Sequence, residues 1–256
     1  MRQQCHSGRE HGKRSKERGG VYSHLLKLIQ SSKTVILVDN ENPKSGVHNR
    51  TMKQGHSHIT FLLDRSGSMN KIADDVKGGF DAFIKDQQGV EGSCTFTLVT
   101  FDDKYEVVHD HIDIQNVPPL NFQPRGRTAL NDAFGRSIVE TGEYLSSLPE
   151  HERPDSVTFV VFTDGKENAS REFSLSEVKE KIEEQTNTYS WQFLYLGANQ
   201  DAMREGASRG IKGDSSLTYD TFKTSAALGK ASAYTTKSRH KLFKGISAED
   251  RQEVTA

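Results

Sequence analysis

From His58 onward the sequence predicts an α/β fold: a doubly wound, Rossmann-like, mostly parallel central sheet with one antiparallel edge strand and helices on both faces. Three observations carry this. Short apolar runs take turns with longer segments of helical period. The runs HITFLL, VTFVVF and WQFLYLG are apolar or β-branched at nearly every position, as strands covered on both faces are. All but one of the gaps between successive strands are long enough for a crossover.

The elements follow in order. The first strand, 58–63, runs into a loop and a helix over 69–87. The second and third strands, TFTLVTF at 95–101 and YEVVH at 105–109, are separated only by DDK. That linker is too short to cross over, so the two form a hairpin and the third strand lies antiparallel at an edge. A helix over 129–148 precedes the fourth strand, 157–162, and a helix over 176–186 precedes the fifth, 191–197. Helices at 201–209 and 221–236 flank a weaker sixth strand in SLTYD, 216–220. Trp191, Phe193 and Tyr195 alternate at strand spacing, which puts them on one face and assigns them to packing.

The flanks read differently. Residues 1–20 carry many cations and almost no aliphatics, too little apolar surface to offset the entropy of ordering. The whole of 1–55 reads as a basic, largely disordered extension, with short apolar runs at 21–29 and 35–38. Either it is an arm, or Met52 is the true start; 56–237 is the domain and 238–256 a polar C-terminal tail. A formal net charge of -1 excludes a global attraction to nucleic acid or to an anionic membrane. No run approaches the ~18 apolar residues of a membrane helix, and the N-terminus lacks the apolar stretch of a signal peptide. Two cysteines, Cys5 and Cys94, fit free thiols in a reducing compartment and a cytoplasmic location.

In an open α/β sheet, ligands bind beyond the carboxyl ends of the strands. That rule selects three loops. The first, in ITFLLDRSGSMN, spaces Asp64, Ser66 and Ser68 two residues apart, so that their oxygens can converge while Arg65 and Gly67 face away. The second, PPLNFQPRGRTALNDAFG, places Thr128 before a helix; the third, FTDGKEN, places Asp164 after a strand. Carboxylates and hydroxyls are hard oxygen donors and suit Mg2+ or Mn2+ better than zinc. Taken singly, each residue has a plainer reading: Ser66, Ser68 and Thr128 as helix caps, Asp164 as a turn acid. Asp102 and Asp103 read as hairpin-turn acids, and His56 and His58 as solvated or fortuitous. Arg125 and Arg127, flanking Gly126, are either solvated loop charges or a means of steering an acidic partner.

With DRSGS, GRTAL and TDG in hand, the chain resembles the von Willebrand factor A domains, whose metal-ion-dependent adhesion site is written D-x-S-x-S, then a distant Thr, then a distant Asp. The resemblance spans 56–237. The phrases LLDRSGSM, PRGRTALNDAFG, FTDGKENAS and LYLGANQDA are similar to stand-alone bacterial or bacteriophage members. It implies a metal held by Asp64, Ser66, Ser68, Thr128 and Asp164, and a partner protein that supplies an Asp or Glu to it. The implied protein is a non-enzymatic, divalent-cation-dependent interaction module, with a separately encoded ATPase among the partners that relatives suggest.

A metal-assisted hydrolase or phosphotransferase is the alternative. It calls for a nucleophile or general base beside the ion, and for a second acid where this chain has Ser66. No G-x-x-x-x-G-K-[ST] loop is present for a nucleotide.

Overall fold

The computed structural model describes residues 55–199 and 201–255, so the N-terminal extension, with its runs at 21–29 and 35–38, lies outside the described residues. The order is β1 (Ser57–Asp64), α1 (Ala73–Gln88), β2 (Cys94–Phe101), β3 (Tyr105–Asp113), α2 (Leu130–Ser147), β4 (Ser156–Thr163), α3 (Leu175–Tyr189), β5 (Gln192–Ala198), α4 (Ala202–Ser208), β6 (Ser216–Tyr219), α5 (Thr224–Arg239) and α6 (Ala248–Val254). The six strands form one sheet ordered β3-β2-β1-β4-β5-β6. Every neighbouring pair is parallel except β2 with β3. This is the predicted architecture, with the hairpin strand at the predicted edge.

The topology positions the site. From β1 the chain moves to β2 on one side and returns to β4 on the other, so a crevice opens between the carboxyl ends of β1 and β4. Leu63 pairs with Phe162, which brings Asp64 and Thr163 abreast at the mouth of that crevice.

Alternating side chains feed two cores. Ile59, Phe61 and Leu63 face α1 and α5, where Phe61 meets Phe80 and Phe83 edge-on at 5.3 and 5.2 Å. Leu62, Val99 and Phe101 face the other way, towards α2 and α3. Trp191, Phe193 and Tyr195 belong to this second core, with Phe159 stacked between Trp191 and Phe193. Polar groups also tie the helices. Buried Arg239 at the end of α5 donates to the carbonyls of Gln87 and Gly92 and to the Ser57 hydroxyl.

His58 corrects an expectation: it is 1% exposed, not solvated. Its ring nitrogens meet the hydroxyls of Thr95 and Thr60, and it stacks on His111, which stacks on Tyr144. Burial, then the charges of His111 and His56, push its pKa from 6.5 down to about 3. The unfolded chain takes up a proton below 6.5 that folded His58 refuses. This contribution to stability is therefore whole at neutral pH and is lost as pH falls from 6.5 towards 3. The expected slope is about 1.4 kcal/mol per pH unit. Urea midpoints at pH 7, 6 and 5 check it, and the His58→Gln variant is expected to show a flatter pH dependence than wild type.

The segment expected to be a polar tail is folded. Ser247 caps α6 by accepting from the Asp250 amide, Val254 is fully buried, and its carbonyl accepts from the Asp220 amide at the end of β6. Lys230 of α5 bridges Asp250 and Glu253 at 2.7 and 2.6 Å, and Arg251 donates to the carbonyls of Gly213 and Ser216. Helical spacing, not apolar content, docks it: one Val and a row of charges suffice because α5 supplies the partners.

Candidate metal site

Asp64 is the last residue of β1 and is wholly buried. One carboxylate oxygen accepts from the Ser66 amide at 2.7 Å and the other from the Thr163 hydroxyl at 2.6 Å. The Ser66 and Ser68 hydroxyls lie 3.1 Å apart, and that of Ser68 donates to Asp164 at 2.6 Å. The predicted helix start at Met69 shifts: a 3-10 turn, Gly67–Ile72, intervenes before α1. Ser66 stands at the N-cap of that turn yet makes no side-chain capping bond. Thr128 is no cap either, since the N-cap of α2 is Ala129. The plain capping reading thus fails for Ser66 and Thr128, and their hydroxyls point elsewhere.

The Ser66 hydroxyl meets that of Ser68, and the Thr128 hydroxyl lies close to Asp64. A Cβ built on Gly165 would meet the Thr128 Oγ1 at 2.7 Å and the Asp64 carboxylate at 3.3 Å. Only glycine lets the third loop pass this close to both oxygens. The third loop also grips the second. Asn168 accepts from the Thr128 amide and donates its own amide to the Thr128 carbonyl, each at 3.0 Å. Glu167 accepts from the amides of Asn131, Ala169 and Ser170. Burial alone would raise the Glu167 pKa, but these bonds hold it below the ordinary carboxylate range.

Asp102, read from sequence as a turn acid, is fully buried and joins the first loop to the second. Its carboxylate accepts from Arg65 Nε at 3.0 Å and Arg125 Nε at 2.9 Å, and from the Lys104 amide at 2.6 Å. The backbone repeats the link: the Arg125 amide donates to the Arg65 carbonyl at 2.6 Å and the Gly67 amide to the Gly126 carbonyl at 3.2 Å. Sequence reading missed Asp102, Thr163, Glu167 and Asn168 as supports of the site. The one signal for Thr163, Glu167 and Asn168 was their position within the third selected loop, whereas Asp102 lies in the hairpin turn and had none.

Both acids of the site are held against the cost of their own burial. Burial pushes the Asp64 carboxyl from 3.8 up to about 6, against the pull of hydrogen bonds from Thr163 and Ser66 and with the Asp164 charge adding to the rise. Burial raises Asp164 as well, while the bond from Ser68, its own backbone amide and the charge of Lys71 oppose the rise. Among the described residues neither carboxylate enters an ion pair; the adjacent Arg65 turns away to Asp102 and Glu106. The Tyr219 hydroxyl, fully buried, has no hydrogen-bond partner among the described residues. Burial and then the charges of Asp164 and Asp64 raise its pKa. Lys71 lies near enough for its charge to favour the ionised form of Asp164, but neither carboxylate makes an ion pair among the described residues; two carboxylates among hydroxyls form a donor set that fits a small hard divalent cation. Among the described residues no group of three or more His, Cys, Asp or Glu could hold a metal; the candidate site has two such residues, Asp64 and Asp164, and its other candidates are hydroxyls.

No protein-family model matches the chain, and no curated relative does. Solved structures do. The vWF domain of the type V pili tip protein Mfa5 from Porphyromonas gingivalis matches at 10% identity with a TM-score of 0.51, over 75% of this chain and 98% of that one. The pilus adhesin SpaC from Lactobacillus rhamnosus GG, in its open conformation, matches at 14% identity and TM-score 0.55, over 71% of this chain and 30% of that one. Proximal thread matrix protein 1 from the mussel byssus, with a zinc-occupied MIDAS motif, matches at 18% and 0.50, over 72% of this chain. The chain spans 46% of the length of that byssus protein. At these identities the likeness speaks for the fold, and the fold is that of the von Willebrand factor type A domains.

Proposed function

We propose that this chain is a divalent-cation-dependent protein-interaction module, not an enzyme. Asp64, Ser66, Ser68, Thr128 and Asp164 would hold Mg2+ or Mn2+. Once bound there, the ion supplies an electrophilic position that a partner's Asp or Glu carboxylate can take. The chain's own part is preparation. Asp102 and Asn168 fix the loops, Thr163 orients Asp64, and burial of Asp64 removes competing water. The observation that carries the reading is the closeness of the Asp64 and Thr128 oxygens across Gly165, next to the Ser68–Asp164 hydrogen bond, at a crevice where neither carboxylate makes an ion pair among the described residues.

The hydrolase reading is less well supported. Ser68 donates to Asp164 and Thr163 to Asp64, so hydroxyls stand beside carboxylates in either reading; what the hydrolase reading lacks is a second acid at position 66, where the chain has a serine. A cytoplasmic setting rests on the sparse cysteines, of which Cys94 is a buried free thiol. The pilus contexts named above belong to those proteins, and an ATPase partner is suggested by the resemblance alone.

Calorimetric titration of EDTA-stripped protein with MgCl2 and MnCl2 tests the reading. One ion per chain, reversed by EDTA, is expected, with tighter binding in the presence of an Asp-containing peptide. Absence of heat with either metal at millimolar concentration overturns it.

A further inference from the structure

A cavity of about 400 Å³ lies beside the metal site, and it has a charge pattern of its own. Its floor is Phe101, Ala129, Ala133 and the Tyr105 ring; Arg127 and Ala129, the residues on either side of Thr128, both line it. Around the rim stand four cations, Lys104, Arg127, Arg136 and Arg171, and three acids, Asp103, Asp132 and Glu172.

The nearly balanced count conceals an imbalance in what is already satisfied. Asp132 is occupied by the amides of Arg171, Glu172 and Phe173, each at 2.9 Å. Glu172 is held by Arg136 through both guanidinium and carboxylate atoms, and Arg136 lies over the Tyr105 ring. The side chains of Lys104, Arg127 and Arg171 make no hydrogen bond or ion pair among the described residues, whereas neighbouring Arg125 is pinned to Asp102 and Glu106. Three cations therefore remain to be satisfied, against Asp103 alone.

We propose that this cavity is a second recognition site for an acidic peptide: when the partner's first carboxylate occupies the metal position, carboxylates further along the same segment enter the cavity and meet Lys104, Arg127 and Arg171. This rests on the proposed metal-dependent function and specifies its partner as an acidic run, not a lone Asp or Glu. The one unpaired acid argues against a nucleic-acid backbone, because Asp103 would face a continuous row of phosphates, whereas side chains separated by peptide spacing can pass to either side of it. Of the two flanking arginines, Arg127 is the one left to steer an acidic partner.

The test uses two fluorescein-labelled Gly/Ser peptides, one with a single Asp and one with that Asp followed by three Glu, in Mg2+ and in EDTA. In Mg2+ the acidic run is expected to bind about tenfold tighter than the single Asp, a gain that three exposed charge pairs can supply. In the Lys104→Glu, Arg171→Glu double variant that gain is expected to vanish, while Mg2+ calorimetry and single-Asp binding stay as in wild type. A gain absent from wild type, or surviving the charge reversal, overturns the inference and leaves the metal reading intact. Binding of the acidic run that is indifferent to EDTA but lost in the variant supports the cavity and overturns the metal reading. A single-stranded oligonucleotide of equal charge that binds more tightly than the acidic peptide overturns the peptide assignment.

Discussion

Replacing Asp102 with alanine is expected to cost about 3–5 kcal/mol of stability, the range for breaking one partner out of a buried ion pair. Arg65 is 8% exposed, and its Nη2 already lacks a partner among the described residues. Without Asp102 its guanidinium keeps only Glu106, whose side chain is half exposed. Arg125 loses its 2.9 Å bond and the Lys104 amide its acceptor. Burial alone would raise the Asp102 pKa, but the Arg125 bond, the Lys104 amide and the two guanidinium charges hold it below the ordinary carboxylate range, so the ionised form is the one the fold uses. Asp102→Asn keeps an oxygen for the Lys104 amide and loses only the charge, so it is expected to fall between alanine and wild type. Urea midpoints of the three proteins at neutral pH check the order. Equal stabilities would show that the Arg65–Asp102–Arg125 junction is incidental. Metal affinity should fall along the same series, because the junction ties the loop of Asp64 to the loop of Thr128.

Asp102 also marks where sequence reasoning stops. The strands were legible because a sheet covered on both faces demands unbroken apolar runs, and β1, β4 and β5 show them. Asp64, Ser66 and Ser68 were singled out because alternating oxygens after such a run have a geometric meaning that a mere turn lacks, and Thr128 and Asp164 because they lie in the other two loops selected beyond strand ends. Asp102 has no such signature: an acid between two hairpin strands is what any turn would carry. What buries it is the return of residues 117–129 over the hairpin, a contact between segments far apart in sequence. Thr163 is hidden for another reason. A β-branched residue at a strand end is expected on propensity alone, and its donation to Asp64 follows only once β1 and β4 are known to be neighbours. The 238–256 segment was misread because composition describes one segment at a time, whereas α6 is stabilised by carboxylates meeting Lys230 and by one Val entering a core that others built.

Asp64→Asn is expected to move two measurements in opposite directions. The substitution keeps the shape of the side chain and an acceptor for the Ser66 amide, and the Thr163 hydroxyl can turn to donate to the Gly165 carbonyl, which lies 3.1 Å away. What disappears is a buried charge. A carboxyl whose pKa is about 6 in the folded chain and 3.8 outside it binds its proton more tightly when folded. The metal-free protein therefore loses stability as pH rises from about 4 through 6, a penalty on the order of 3 kcal/mol once Asp64 is ionised. Asparagine removes that penalty, so at pH 7.5 in EDTA the variant should melt above wild type. With Mg2+ the ranking reverses. Wild type gains stability by mass action as the ion binds the folded chain, whereas the variant, offering one carboxylate where two are needed, shows neither the shift in Tm nor the calorimetric heat. A purely structural Asp64 would behave otherwise: its replacement would lower Tm in EDTA and leave any magnesium response in place. The same pair of melting curves thus separates a carboxylate kept for the fold from one kept, at a cost to the fold, for a cation.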